Sequence, residues 1–254
     1  MSKVRAKKHL GQHFLKDLGI ARDIAHSLSL SNYSKILEVG PGMGILTQFL
    51  IPLDTETYVI EIDEESVSFL KKNYPELESH ILEGDFLQLP LKEIFKEPIA
   101  VIGNFPYNIS SQILFKAIDN KDIIPEIVGM FQKEVAERVV SPPGSKKYGI
   151  ISILLQCFYD VEYLFTVDEI VFDPPPNVKS AVIRLRRNNR DKLNCDEKKF
   201  HKVVKTSFGQ RRKTLRNALK SLNLVDEISA SRYLSLRAEQ LSVEDFMNLT
   251  NCFE

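Results

Sequence analysis

An amide, a bulky apolar residue, a proline and a phenol follow one another at Asn104, Phe105, Pro106 and Tyr107. The group is poor turn chemistry, because it lacks the Asn-Gly or Pro-Gly pairing that tight turns favour. It suits a flat ligand that carries an NH2 group. The Asn104 side-chain carbonyl is one acceptor for the N–H bonds of that group. The Phe105 backbone carbonyl is a second, because Pro106 forces the residue before it into an extended conformation. Tyr107 can stack on a base, an interaction worth roughly 1–3 kcal/mol. An adenine amino nitrogen is a weak nucleophile while its lone pair is delocalised into the ring. Acceptors on both N–H bonds favour the more tetrahedral form that attacks a methyl-sulfonium. No strong base is needed, since the alkylated nitrogen is acidic enough to lose its proton to water. A second aromatic, Phe172, stands ahead of Pro174-Pro175-Pro176, and a stiff polyproline segment can hold it against the other face of the base. A base held this way is unpaired or flipped out of a duplex.

Three further positions define a second ligand. Gly40-Pro41-Gly42-Met43-Gly44 follows an apolar run and opens a helical one, so the backbone at Gly40 and Gly42 can approach a ligand closely. The dinucleotide fingerprint requires glycine at position 45, where this chain has Ile45, so a pyrophosphate is disfavoured. Glu61 lies 21 residues after Gly40, at the end of the next apolar run, where a carboxylate can bind both hydroxyls of a ribose. Asp85, in "EGDF", can accept a hydrogen bond from an adenine amino group. A ligand with ribose and adenine but no pyrophosphate is S-adenosylmethionine, a methyl donor that needs no metal.

These residues fall at the ends of strands. "SKILEVG", "TYVIEID", "SHILEGDF", "IAVIGN" and "PEIVGMF" read as successive buried strands, with helical spacing in "ILTQFLI", "EESVSFLKKNY", "SSQILFKAI" and "QKEVAERVV" between and after them. Strands alternating with helices predict a parallel sheet covered on both faces, with ligands at the strand ends. "VEYLFTV" and "KSAVIRLR" are two later strands joined by "FDPPPNV". The polar stretch "RRNNRDKLNCDE" reads as a linker, and the remainder, including "FHKVVKTSF" and "RRKTLRNALKSL", is helical in pattern. The boundary is therefore expected near residue 188, with domains over 1–188 and 189–254.

Formal charge is zero, but its distribution is not even. Residues 51–100 hold 12 acidic and 4 basic residues, whereas 179–220 hold 15 basic and 3 acidic. The arm over residues 1–17 adds Lys3, Arg5, Lys7, Lys8 and Lys16, with no acid before Asp17. A neutral chain with basic ends reads as bipolar, and a polyanion is expected at the basic end, away from the acidic stretch. Lys7, Lys8, Arg211, Arg212, Lys213 and Arg216 are the candidate phosphate contacts, with Arg212 and Arg216 on one helical face. The cysteines, 157, 195 and 252, are far apart and form no C-x-x-C, so neither a disulfide framework nor a zinc site is expected and a reducing cytoplasm fits. No apolar h-region follows the basic N-terminus, and no run of 18 apolar residues exists to span a membrane.

The segments "KKHLGQHFL", "EVGPGMG", "VIEID", "GDF", "GNFPYNISS", "FDPPPNVKSAVIRL" and "FGQRRKTLRNAL" together resemble the small-subunit ribosomal RNA adenine dimethyltransferases, in order and over about the whole chain. The resemblance implies a Rossmann-like class I methyltransferase, α/β, with a seven-stranded, mostly parallel sheet and a small all-helical C-terminal domain. It implies transfer of four methyl groups to N6 of two adjacent adenines near the 3′ end of small-subunit RNA, within a 30S assembly intermediate. Carried over by motif, the donor would contact His13, Leu15, Gly40, Glu61, Asp85 and Asn104. Relatives often have asparagine at position 13, and leucine or isoleucine at position 105, so Phe105 is expected to make the pocket bulkier. Two rivals remain. One is the antibiotic-resistance type that methylates large-subunit RNA; it shares N-x-P-Y, while the F-x-P-P-P run and "FGQRRKT" favour the small-subunit type. The other is an assembly factor whose binding, rather than catalysis, matters. DNA adenine methylation usually brings a second proline in the motif. Nothing in the sequence demands more than a monomer.

Overall fold

The computed structural model describes residues 4–254, apart from the side chain of Lys8. The chain forms two compact units. The first runs to Ala136 and resumes over Val161–Arg187; the second comprises Glu137–Asp160 and Asn188–Glu254.

The strands are β1 (Phe14–Leu15), β2 (Lys35–Val39), β3 (Glu56–Glu61), β4 (Ile81–Glu83), β5 (Ile99–Asn104), β6 (Glu126–Gln132), β7 (Tyr159–Val167), β8 (Phe172–Asp173) and β9 (Ser180–Arg187). Seven of them make one sheet in the order β4-β3-β2-β5-β6-β9-β7, and β1 pairs with β8 in a separate ribbon. The first five strands of the large sheet run parallel, and β9 returns antiparallel to β6, from Glu126↔Arg186 to Gln132↔Ser180. β5 and β6 are buried at every position but the last, as expected of strands covered on both faces. Their apolar runs carried no alternation because neither face meets water.

Helices α1 (Leu18–Ala25), α2 (Thr47–Leu50), α3 (Glu64–Asn73), α4 (Leu91–Ile94) and α5 (Ser110–Asp119) belong to this unit. Asp17 starts α1 by accepting from Ile20 N at 3.0 Å, and Asp63 starts α3. The helix expected after the glycine turn shrinks to the four residues of α2. From β2 the chain moves outward through β3 and β4, then crosses back to β5 on the other side. That reversal leaves a crevice beyond the C-terminal ends of β2 and β5, the usual ligand position in open α/β sheets.

The second unit contains the end of α6 (Lys133–Val140), then α7 (Ile150–Gln156), α8 (Glu197–Gly209), α9 (Leu215–Ala218), α10 (Glu227–Leu234) and α11 (Val243–Thr250). Where a single boundary near 188 is expected, the chain crosses within α6, within β7 and after Arg187, so residues 137–160 fall in the second unit. The cause is α7, buried at Ile151, Ser152, Ile153, Leu154 and Leu155 and packed on α8. A helix apolar on nearly every side goes inside a core, but its pattern does not say which one. All three cysteines lie in this unit as free thiols, with Cys157 and Cys252 buried. The expected "RRKTLRNALKSL" helix is corrected. α8 stops at Gly209, Lys213 N donates to Gln210 O at 2.8 Å in a turn, and extended Thr214 precedes the short α9. Arg212 therefore lies in the turn and Arg216 in α9, not on one helical face. Among the described residues, no helix is long and apolar enough to cross a membrane.

Candidate active site

The ends of β2, β3, β4 and β5 open into a cleft, where open α/β sheets place their ligands. Gly40, Gly42, Glu61, Asp85, Asn104 and Tyr107 all line it, and the segment from Leu10 to Phe14 supplies its outer wall. Gly40 has φ +70°, and a Cβ there would meet nothing nearer than Pro106 Cδ at 4.0 Å, so any side chain would project into open cleft. The glycine keeps that space free for a ligand. Gly42 has another cause: a Cβ would lie 2.8 Å from the Phe14 ring, so the turn packs against the wall.

Glu61 is only 4% exposed, and the backbone already occupies much of its carboxylate. Oε1 accepts from Ile62 N and Asp63 N, each at 2.9 Å, and Oε2 accepts from Gly42 N at 3.0 Å. Burial pushes this carboxyl above the usual carboxylate range, while the amides of Asp63, Gly42 and Ile62 pull it back. Oε2 keeps acceptor capacity toward the cleft. Beside the glycine turn, Leu15, Glu38, Gly40 and Asn104 line a second cavity. Glu38 is 1% exposed, accepts from Thr47 Oγ1 at 2.6 Å, and has its carboxyl pushed up to about 8 by burial.

Asp85 caps the single turn Phe86–Gln88, accepting from Leu87 N at 2.9 Å with one oxygen. At the opposite wall, Asn104 Nδ2 donates to His13 O at 2.9 Å. That bond fixes the orientation of the amide, because only the nitrogen can donate to a carbonyl. Asn104 Oδ1 is therefore the atom left to accept. Among the described residues, no donor takes up the Phe105 carbonyl. Tyr107 hydrogen-bonds through its hydroxyl to Ser180 Oγ, and burial raises its phenol above the ordinary range. The His13 ring lies over one face of Tyr107 at 5.3 Å, and its Nδ1 is 2.8 Å from Pro174 O.

Several expected positions need correction. Phe105 does not fill the pocket with its ring. The ring is 1% exposed and 4.9 Å from Phe131, and it lies so close over Gly129 that a Cβ there would be 2.0 Å away. The missing side chain on β6 absorbs the extra bulk. Phe172 does not face the base-binding wall either. It is 1% exposed in the core cluster with Leu15, Met130 and Val182, because β8 pairs Phe172 with Leu15. Lys7 is not a free phosphate contact: its ammonium binds the buried Asp63 and reaches Glu65 at 3.2 Å. Burial of Asp63 opposes ionisation, but Lys7 and Ser66 bonding holds its carboxyl below the usual range. The side chain of Lys8 lies outside the described residues. Arg211 stays partly exposed but is engaged by the backbone, donating to Lys146 O at 2.5 Å. Arg212, Lys213 and Arg216 are exposed, and Arg216 approaches Glu227 at 3.2 Å. Sequence reading missed Ser180, because a partner 73 residues from Tyr107 leaves no local pattern.

The family model described as ribosomal RNA adenine dimethylase matches residues 3–254. A protein of Cytophaga hutchinsonii named ribosomal RNA small subunit methyltransferase A is 58% identical over 253 residues, covering 99% of this chain and 98% of that relative. A Bacteroides thetaiotaomicron protein of the same name is 56% identical, covering 100% of this chain and 96% of its own length. Among solved structures, a dimethyladenosine transferase from Plasmodium falciparum superposes with TM-score 0.80 at 24% identity, over 95% of this chain and 99% of that one. The structure titled 23S rRNA methyltransferase ErmE superposes with TM-score 0.69, also at 24% identity, over 94% and 98%. At that identity, these two likenesses speak for the fold.

Proposed function

Because the chain belongs to the ribosomal RNA adenine dimethylase family, we propose a specific division of labour within its cleft. The chain is an S-adenosylmethionine-dependent adenine dimethyltransferase acting on small-subunit ribosomal RNA. Its substrate would be two adjacent adenines near the 3′ end, presented in a 30S assembly intermediate in the cytoplasm, with the enzyme acting as a monomer.

The donor fits the residues present. Gly40 leaves open space, Glu61 keeps one acceptor position, and Asp85 stands across the cleft. Glu61 would hold the ribose, Asp85 the adenine amino group, and Gly40, Gly42, His13, Leu15 and Asn104 the amino-acid end. When bound, the donor supplies a methyl group on a sulfonium, whose C–S bond breaks with its electrons going to sulfur. The chain's residues prepare the nucleophile. Asn104 Oδ1 and Phe105 O would accept the two N–H bonds of the target amine and draw its lone pair out of conjugation. Tyr107, with its hydroxyl held by Ser180, would stack the base on the face that His13 does not cover. Excess positive charge leaves as a proton to water. Arg212, Lys213 and Arg216 would hold phosphates, which position the RNA without reading its bases.

The observation that carries this reading is the Asn104-to-His13 bond, which leaves the amide oxygen as the acceptor. We expect Asn104→Ala to keep the fold and lower turnover by about 10²-fold or more, the scale of a lost polar transition-state contact. The assay is radiolabelled methyl transfer to undermethylated small subunits and, in parallel, to large-subunit RNA, with the modified base mapped. Near-normal turnover by the variant, or label on the large-subunit RNA alone, would overturn the reading. Normal maturation supported by a catalytically dead Asn104→Ala chain would instead favour the assembly-factor reading.

A further inference from the structure

The loop that presents Asp85 is held unevenly. At one end Gly84 has φ +141°, with nothing within 4 Å of where a Cβ would sit, so no side chain packs there. At the other end, Phe86–Gln88 is a single turn too short to hold itself. Its terminal carbonyls find a cation from another element. Lys116, in the last turn of α5, donates through Nζ to Leu87 O at 2.8 Å and to Leu89 O at 2.7 Å. The same ammonium lies 5.6 Å from the centroid of the buried Phe86 ring. A cation on the C-terminal carbonyls of a turn and over an aromatic face is favourable on both counts. Burial lowers the pKa of this lysine, while the carboxylates of Asp85 and Asp119 oppose the shift. Packing alone would be served by an apolar chain, so a partly desolvated ammonium is an expensive choice unless its hydrogen bonds are used. α5 begins just after the Asn104–Tyr107 loop, so Lys116 ties the Asp85 loop to the helix that follows the methyl-transfer residues.

We infer that Lys116 is a positioning residue for methyl-donor binding: by clamping Leu87 O and Leu89 O it holds the Asp85 turn against α5, and so holds Asp85 and the Phe86 backbone at the donor's base. This rests on the reading of Asp85 as a donor contact. Lys116 itself touches neither substrate. Its effect should therefore appear in donor binding and not in the chemical step.

The test compares Lys116→Met, Lys116→Arg and Asp85→Ala by calorimetric titration with S-adenosylmethionine and by steady-state methyl transfer to undermethylated small subunits. Losing two hydrogen bonds from a charged donor should weaken donor affinity about tenfold in Lys116→Met. The KM for donor should rise in proportion, while kcat and the KM for RNA stay within about twofold. Lys116→Arg, which keeps the charge and donors, should recover most of the affinity. Amide exchange over residues 84–90 should quicken in Lys116→Met without donor, and that readout also serves if the variant is too unstable to assay. Unchanged donor affinity in Lys116→Met, with Asp85→Ala weakened, would overturn the inference and leave the Asp85 reading standing. Unchanged affinity in Asp85→Ala would instead remove the premise. A fall in kcat with donor KM unmoved would mark Lys116 as merely structural, and so overturn the inference too.

Discussion

Gly129→Ala asks how tightly the core of the sheet is coupled to the catalytic loop. A methyl group at Gly129 would sit 2.0 Å from Cε2 and 2.6 Å from Cδ2 of Phe105. Carbon atoms rest at roughly 3.5–4.0 Å, so the ring must retreat by about 1.5 Å. It has nowhere to go, being 1% exposed with Phe131 at 4.9 Å. Overpacking of this kind costs about 1–3 kcal/mol. At roughly 2–4 °C per kcal/mol for a chain of this size, the melting temperature should fall by about 2–12 °C. Activity should suffer separately, because Phe105 lies between Asn104 and Pro106 and supplies an acceptor carbonyl. A displacement near 1 Å at such a group is worth about 10²-fold in rate. The decisive comparison is the double variant. Phe105→Leu removes the ring atoms that clash, so Phe105→Leu/Gly129→Ala should recover both melting temperature and turnover relative to Gly129→Ala. The coupling in that cycle should be at least about 1 kcal/mol, measured by urea unfolding and single-turnover methyl transfer. A Gly129→Ala chain that melts and turns over like the parent would refute the reasoning, as would strictly additive effects.

Other outcomes follow from groups in the same unit and in the helical one. The Glu38 carboxyl is raised from 4.5 to about 8, so the folded state holds its proton over a range where the unfolded chain has released it. Stability must then fall as pH rises from about 4.5 to 8, by up to about 4–5 kcal/mol. Urea midpoints at the two ends of that window should converge in Glu38→Gln, and an identical slope in both proteins would count against the buried acid. Lys7→Ala should weaken donor binding in calorimetry, since it frees the cleft's outer wall from Asp63, yet leave the salt slope of RNA binding unchanged. A lower slope would restore Lys7 as a phosphate contact. Arg212→Ala and Lys213→Ala should each reduce that slope by about 0.7–0.9 log units per log salt, and a flat salt response in the parent would remove the electrostatic account.

Much of the sheet could be read from the chain, because each parallel strand is a short apolar run that ends on a chemically distinctive residue. Glu61, Asp85 and Asn104 were legible for the same reason: the fold gathers strand ends, so position along the chain already implied position in the cleft. Contacts between distant segments were not legible. The partner of Lys7 is 56 residues away and that of Tyr107 is 73 residues away, and neither leaves a local period. Phe172 was misjudged because "FDPPP" describes a stiff loop but not the β1 pairing that turns its aromatic inward. Arg212 and Arg216 were misjudged because helical composition runs on through Thr214, where the backbone is extended. Tertiary contacts overrode local propensity at that point.

Thiols are also segregated between the two units: every cysteine of the chain is in the helical one, and none is in the one that contains the cleft. Burial further raises the pKa of Cys157, Cys195 and Cys252, so little thiolate exists near neutral pH. A sulfonium methyl is a soft alkylating agent, and thiolate is the side chain that would capture it most readily. The unit that contains the cleft thus offers a reactive methyl group no thiol competitor of its own, which favours the weakly nucleophilic nitrogen as acceptor and spares the enzyme one route to modifying itself.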